Sequence, residues 1–548
     1  MAMPHTFSAM TSLMQPWPLT LDKILTHAAR WHGTRELVSR GADGVVRRSN
    51  YAATFARAQQ FSAALRAGGV QFGDRVGTIA MNSAAHVEVW YGVCNVGAVC
   101  HTLNPRLIDE QMSYLINHAA DRWLVADPMF VPLLERVLPR CPTVERVVVL
   151  GETPAATIGG VAAIGYEALL GQATAAVVWG DFDENSAAGL CYTSGTTGNP
   201  KGVLYSHRSQ VLHTLLSLSA ELMGIGACDS VLMVVPMFHA NAWGIPFSAA
   251  AVGAKLVLPG ARLDGASVYE LLETEQVTFS GAVPTVWQLL LEYMTRNRLR
   301  LSTLKRVLIG GSACSEGLIR TFGDEHGVAV VHGWGMTEMS PLGTTAIENK
   351  AVAELPRAAR NAQQLKQGRV PFGVDMKITD EDGATLPQGG TVPGRIKVKG
   401  PCVVGRYFRA EDEEILDADG YFDTGDIGVI DNYSYLHITD RSKDVIKSGG
   451  EWISSVDIET IAASHPKALL AAVIAIPHAK WNERPLLIVQ LKPDVAATAE
   501  EFLEFLNGRI AGWWMPDGVV FIADMPLGPT GKLDKKLLRV RFPALPAA

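Results

Sequence analysis

Apolar positions along this chain follow two periods that take turns. Phe55, Phe61 and Leu65 recur on one side of a helical spacing and predict a helix over Tyr51–Ala67 whose apolar face packs on a sheet. Short apolar runs at Arg75–Met81, Trp123–Asp127 and Val147–Leu150 predict strands among helical stretches from Leu19 to about Gly180. His101–Arg106 (HTLNPR) reads as a turn by its Asn-Pro pair. The alternation breaks at Tyr192–Gly202, YTSGTTGNPKG, which has no apolar period and follows the apolar stub Gly189, Leu190, Cys191. It then resumes, with strands predicted at Ser230–Val235, Lys255–Leu258, Val277–Ser280, Arg306–Ile309 and Val328–Val331. In open parallel sheets the carboxyl ends of the strands collect the ligand site. The loops Pro236–Trp243, Gly281–Trp287, Gly310–Ala313 and His332–Glu338 are therefore expected to converge.

Between about Ala351 and Asp440 the pattern shortens to strands with close turns, including Asp375–Ile378, Arg395–Val398 and Tyr435–Ile438. Beyond Arg441 a compact α+β unit is predicted. Its parts are a helix near Val456–Ala462, strands at Ala472–Ile476 and Leu486–Leu491, a helix near Ala499–Ile510, and a flexible Gly528–Lys532 loop before a basic end. The expected fold class is α/β: a large N-terminal domain of α/β sheets with a small β-subdomain, then a smaller α+β domain.

Composition narrows the function. A chain of 548 residues is too long for one core and suggests roughly two to four domains. A formal charge of −7 argues against nucleic-acid binding, which needs a basic face, and favours small-molecule chemistry. Seven scattered cysteines without a CxxC pair are expected to be reduced, buried small hydrophobes of a cytoplasmic protein. The first twenty residues show no charged region followed by an apolar run, so no signal peptide is expected. The longest strongly apolar run, Ala468–Ile476, is strand-sized and far short of the ~20 residues that span a bilayer. Membrane contact is expected to be peripheral at most.

The polar loop carries the candidate chemistry. Thr193, Ser194, Thr196 and Thr197 offer hydroxyls, Gly195 and Gly198 free backbone N–H groups, and Lys201 an ammonium. Together they form a surface suited to phosphate oxygens. A Walker loop is excluded by spacing, because Lys201 follows Pro200 and precedes Gly202. A polar turn without a ligand is the remaining alternative.

Five motifs stand in one order: YTSGTTGNPKG, HGWGMTE (His332–Glu338), YFDTGD (Tyr421–Asp426), DRSKDVIKSGGEWIS (Asp440–Ser454) and PTGK (Pro529–Lys532). Over nearly the whole chain this resembles the adenylate-forming enzymes: acyl-CoA synthetases, adenylation domains and luciferases. PMFHANAWGIPF and SGGEWIS are more narrowly similar to fatty acyl-CoA synthetases, particularly the bacterial medium-chain and long-chain group. The resemblance implies an N-terminal adenylation domain over 1–442 (α/β subdomains to about 350, β-subdomain about 351–440), and a mobile C-terminal lid over 443–548 hinged at Lys443. Many members are homodimers.

The implied reaction joins a carboxylate to ATP, giving acyl-AMP and pyrophosphate, and then exchanges AMP for the CoA thiol. Mg²⁺ is the implied cofactor, with Thr193 and Glu338 as its ligands. Lys532 resembles the adenylation lysine that bridges the carboxylate and the α-phosphate, so Lys532, Glu338 and Thr193 are the implied catalytic set. The resemblance assigns the nucleotide to Thr193, Ser194, Gly195, Thr196, Thr197, Gly198 and Lys201. It adds Gly311, His332, Gly333, Trp334 and Thr337 around adenine and the α-phosphate. Asp426 and Arg441 would hold the ribose, and Lys443, Lys447, Trp452 and Lys532 would come from the lid side. Gly449 and Gly450 are implied at CoA, and His239, Ala240 and Trp243 at the acyl group.

Three departures stand out. Leu527-Gly528 replaces a more polar pair before PTGK and Leu533-Asp534 follows its lysine; Trp334 replaces a common Tyr; and Ser434 stands where a Gly usually precedes the Tyr. No charge near Val283, Thr285 or Trp287 suits a polar acyl group, so a medium-chain fatty acid is expected. The alternatives are a short thioether, branched or aryl acid, a loader of a carrier protein, and a silent nucleotide-binding regulator.

Overall fold

The computed structural model describes residues 13–152, 155–173, 176–193, 199–448, 451–528 and 532–545. Among them two eight-stranded sheets form the N-terminal part, and each has six adjacent parallel strands with antiparallel edges. The first sheet is centred on Arg75–Ile79 and ends at the hairpin Ala187–Thr193 with Lys201–Ser206. The second places Ser230–Met233, Phe279–Ala282, Arg306–Ile309 and Ala329–Gly335 side by side in one direction.

The helix Tyr51–Ala67 has the predicted bounds. Asn50 caps it by accepting from the Ala53 N–H, and Phe61 and Leu65 are fully buried. Phe61, Trp90 and Phe247 join residues of both sheets, such as Val76 and Leu256, in one core cluster. That shared core fixes one sheet against the other.

The sequence reading needs correction in three places. Val99–Thr102 is a strand, parallel to its neighbours on both sides, so the expected turn at His101–Arg106 starts only after Thr102. All four of its residues are buried, which outweighs the turn signal of the Asn-Pro pair two residues on. Residues 350–364 form two helices, Lys350–Ala353 and Arg357–Gln364, ahead of the antiparallel sheet. That sheet has four strands, Asp375–Thr379, Gly394–Lys399, Phe422–Ile430 and Leu436–Arg441. Six cysteines are buried as expected, but Cys228 is exposed.

The C-terminal unit is α+β. Ala468–His478 pairs antiparallel with Asn482–Leu491, and helices Ser455–Ala463 and Ala499–Leu506 bury Ile458, Phe502 and Leu506 in one cluster with Val473 and Val489. Its first helix docks end-on against the four-stranded sheet. The Ser455 N–H donates to Asp440 Oδ2 at 2.7 Å, the Ser454 hydroxyl donates to the Thr439 carbonyl, and His437 Nε2 lies 3.1 Å from Asp457 Oδ1. A carboxylate of one unit thus caps a helix of the next. Among the described residues no helix is long and apolar enough to cross a membrane.

Ser434 has φ +67°, the left-handed region that the missing glycine would occupy freely. The Asp431 carboxylate holds this turn by accepting from the N–H groups of Tyr433 and Tyr435. Ser434→Gly is expected to stabilise the protein by about 0.5–1 kcal/mol in denaturant unfolding.

Candidate active site

The phosphate-type loop is held by a stiff stem. Thr193 and Lys201 face each other at the open end of the Ala187–Thr193 and Lys201–Ser206 hairpin, while Ala188–Cys191 run buried beneath. Ser194, Gly195, Thr196, Thr197 and Gly198 lie outside the described residues. Behind the stem, the Tyr192 hydroxyl lies 2.6 Å from His118 Nδ1, and its ring packs on His101 at 5.1 Å. His101 Nδ1 in turn sits 2.8 Å from Asp121 Oδ2, with both residues fully buried. Two histidines and a carboxylate therefore anchor the residue before Thr193.

Strand Ala329–Gly335 delivers the opposite wall. It ends in the short turn Thr337–Met339, which packs against the stem strand and buries Glu338. Tyr205 of the stem donates its hydroxyl to the Thr337 carbonyl at 2.7 Å. Burial pushes the Glu338 carboxyl up, opposed by the Tyr407 hydrogen bond and by the charges of Arg441 and Lys532. Trp334 Nε1 donates to Asp426 Oδ2 at 2.8 Å, and Arg441 Nε lies 3.3 Å from Asp426 Oδ1. The indole N–H thus orients the carboxylate, and each oxygen keeps a lone pair for a further donor. Burial also raises the Asp426 carboxyl, with Arg441 and Trp334 opposing.

Lys532 comes from the far end of the chain to join this group. A methyl on Gly311, whose φ is +86°, would stand 3.7 Å from Lys532 Cε, so the lysine lies along the Gly310-Gly311 turn. Burial first, and Arg441 second, bring its ammonium down to about 8, while Asp426 and Glu338 hold it up. Pro529, Thr530 and Gly531 lie outside the described residues.

The expected convergence of loops is present. A Cβ on Gly310 would reach within 3.2 Å of the Trp243 ring, and one on Gly281 within 3.4 Å, so both glycines make room for the indole. Trp243 ends a run with positive φ at Ala240, Asn241, Ala242 and Trp243, continued by Gly244. Trp90 Nε1 donates to Asn241 Oδ1 at 3.3 Å and ties this left-handed turn to a core helix. Burial, with the charge of Lys532 second, pushes the His239 imidazole down to about 4, so it is neutral at pH 7.

Other expected residues sit apart. His332 turns its ring to the Leu365 carbonyl, 3.0 Å from Nδ1, and burial takes it down to about 4. Gly333 lies in strand register with Thr345. Lys443 follows Arg441 in the connection to the C-terminal unit, and burial lowers its ammonium. Lys447 is exposed on the strand Ile446–Ser448, in register with Trp452, and its N–H donates to Glu483. Gly449 and Gly450 lie outside the described residues. Lys201 is not open to a phosphate here: it pairs with Glu413 and lies 4.8 Å over the Tyr407 ring.

Tyr407 and Glu413 escaped the sequence reading. They sit in an irregular stretch between strands, with neither a period nor a motif to mark them. Tertiary contacts bring that stretch to the loop, among them the antiparallel bridge of Phe408 to Gly202.

Comparisons with known proteins bear on the family and the fold. A family profile described as AMP-binding enzyme matches residues 25–408, and one described as AMP-binding enzyme C-terminal domain matches residues 457–532. The chain is 46% identical to a 3-methylmercaptopropionyl-CoA ligase of Ruegeria lacuscaerulensis over 97% of this chain and 99% of that one. It is 44% identical to a medium-chain-fatty-acid–CoA ligase of Ectopseudomonas oleovorans over 96% of each. Among solved structures, an anthranilate CoA ligase in complex with anthranoyl-AMP superposes with a TM-score of 0.85 at 23% identity, covering 96% of this chain and 98% of that one. This last likeness concerns the fold.

Proposed function

The chain belongs to the AMP-binding enzymes and is an ATP-dependent, AMP-forming acyl-CoA synthetase, and on that premise we propose that its acid is a medium-chain fatty acid. The observation that carries this reading is the apolar acyl wall, where Trp243 packs over Gly281 and Gly310 beside a neutral His239. A short thioether acid is the second reading, favoured by the relative at 46% identity. A thioether sulfur takes the place of a methylene in an unbranched chain, so one wall suits both.

The residues divide the first half-reaction among them. The acid is ionised at neutral pH, so no general base is required and the barrier is mainly the meeting of two anions. Lys532 meets both with one cation, and Asp426, set by Trp334 and Arg441, takes the ribose hydroxyls. Mg²⁺ fits the oxygen donors Thr193 and buried Glu338. A cation of this kind keeps waters and phosphates and needs few protein ligands. When bound, it would neutralise charge on the phosphates. The reading divides the chain at 442/443 and turns the lid at Lys443, because Lys532 must leave before the thiol arrives. The Asp440 contact with Ser455 crosses that division and supports assigning this lid orientation to the first half-reaction.

Three outcomes test the reading. In a panel of acids, pyrophosphate release with CoA is expected to be highest for straight-chain medium acids; strongest turnover on a short thioether acid would establish the second reading, and turnover on neither class would overturn both. Lys532→Ala is expected to lower acyl-adenylate formation by about 10²–10³-fold or more, and to leave CoA transfer from supplied acyl-AMP within about twofold. Because Lys532 is cationic below about 8 and neutral above, kcat/KM for ATP in ATP–pyrophosphate exchange is expected to be flat below pH 8. It should then fall about tenfold per pH unit above it, while kcat holds to higher pH because bound phosphates favour the ammonium.

A further inference from the structure

The stretch Val404–Glu413 grips both walls of the site at once. Its Val404 N–H donates to the Glu338 carbonyl at 2.8 Å, and its Phe408 N–H donates to the Gly202 carbonyl at 2.8 Å. Arg409 Nη1 donates to the His118 carbonyl at 2.7 Å, behind the stem. At the centre is Tyr407, whose hydroxyl donates to Glu338 Oε1 at 2.9 Å and whose ring carries Lys201 at 4.8 Å. One side chain therefore touches the carboxylate assigned to the metal and the lysine assigned to the phosphates.

We propose that Tyr407 is a positioning residue for the first half-reaction: its hydroxyl sets the rotation of the Glu338 carboxylate, and its ring sets where the Lys201 ammonium stands. The proposal rests on the adenylation reading of this site. A carboxylate on a flexible stem has two equivalent oxygens and a broad terminal torsion. A donor fixed to one oxygen stops that rotation and aims the other. A phenol suits this task because it donates without a charge of its own to compete with a divalent cation. The aromatic face attracts an ammonium without pairing all its N–H donors, so Lys201 stays able to turn to an incoming anion. Glu413 holds the same ammonium at a half-exposed ion pair, a weak contact that a triphosphate displaces.

A purely structural role for Tyr407 predicts something different. The ring also packs edge-on to Phe422 at 6.4 Å in the core of the antiparallel sheet. Phenylalanine keeps that packing and the face under Lys201 and removes only the hydroxyl. Leucine removes the face as well. The two variants separate the two contacts, and half-reaction assays separate positioning from damage to the fold.

The test uses the full chain and an ATP analogue with a methylene group between the α and β phosphates. Calorimetric titration of the protein with this analogue over a range of Mg²⁺ concentrations reads binding without turnover. In Tyr407→Phe the Mg²⁺ concentration for half-maximal binding is expected to rise about tenfold, with binding in the absence of Mg²⁺ unchanged. Tyr407→Leu is expected to add a several-fold loss in binding without Mg²⁺, through Lys201. CoA transfer from supplied acyl-AMP is expected to stay within about twofold of the parent in both. An unaltered Mg²⁺ dependence in Tyr407→Phe, or equal loss of both half-reactions, overturns the proposal. A parent protein without ATP–pyrophosphate exchange on any acid would remove the adenylation reading itself, whereas normal exchange in the parent with an unaltered Tyr407→Phe removes only the role of Tyr407.

Discussion

A lysine drawn partly out of water is favoured by nearby negative charge, and among the described residues Asp426 and Glu338 supply it to Lys532. That requirement organises the molecule. Asp426 comes from the antiparallel sheet, Glu338 from the turn after a parallel strand, and Lys532 from near the end of the chain. Both carboxyl groups are themselves pushed up by burial, so neither is comfortable without the cation. The C-terminal unit is held in the orientation that satisfies all three. The capping of its helix by Asp440 adds a directional contact at the same boundary, and Lys535 reaches Ser455 and Glu459 from within the unit.

On the proposed two-step reading, this arrangement serves the first half-reaction. On that reading, Lys532, which lies beside Gly311, withdraws before the second step. Releasing the lysine exposes two buried carboxylates, a cost that a bound nucleotide and its phosphates change by altering the local charge.

Strain is concentrated in the turn that carries Trp243. Four consecutive non-glycine residues from Ala240 to Trp243 hold positive φ, a conformation that costs about 1–2 kcal/mol per residue for L side chains. The surrounding core over-determines it through Trp90, Asn241 and the two glycines under the indole. The neighbouring stem contrasts with it: an antiparallel ladder with one register shift, at Tyr205/Ser206, and with Tyr192 anchored by His118.

Much of the fold was legible in the chain. The helix at Tyr51–Ala67 and the strands at Lys255–Leu258 and Arg306–Ile309 stand at their predicted bounds, because period and local propensity agree there. The ordered motifs identify the family, and they carry Glu338, Asp426, Arg441 and Lys532, which the structure gathers near one another. The strand Val99–Thr102 was missed because its burial comes from neighbours about 25 residues before it and about 90 after it, which no local pattern records. The same limit hid Tyr407 and Glu413, which lie about 70 residues from Glu338 and more than 200 from Lys201. The sequence by itself determined which chemical groups are present and the local elements that carry them. Only the tertiary structure decided that Trp334 supplies the hydrogen bond to Asp426, that Lys201 rests on Tyr407 and that Lys532 lies near Glu338, since each depends on a contact between distant segments.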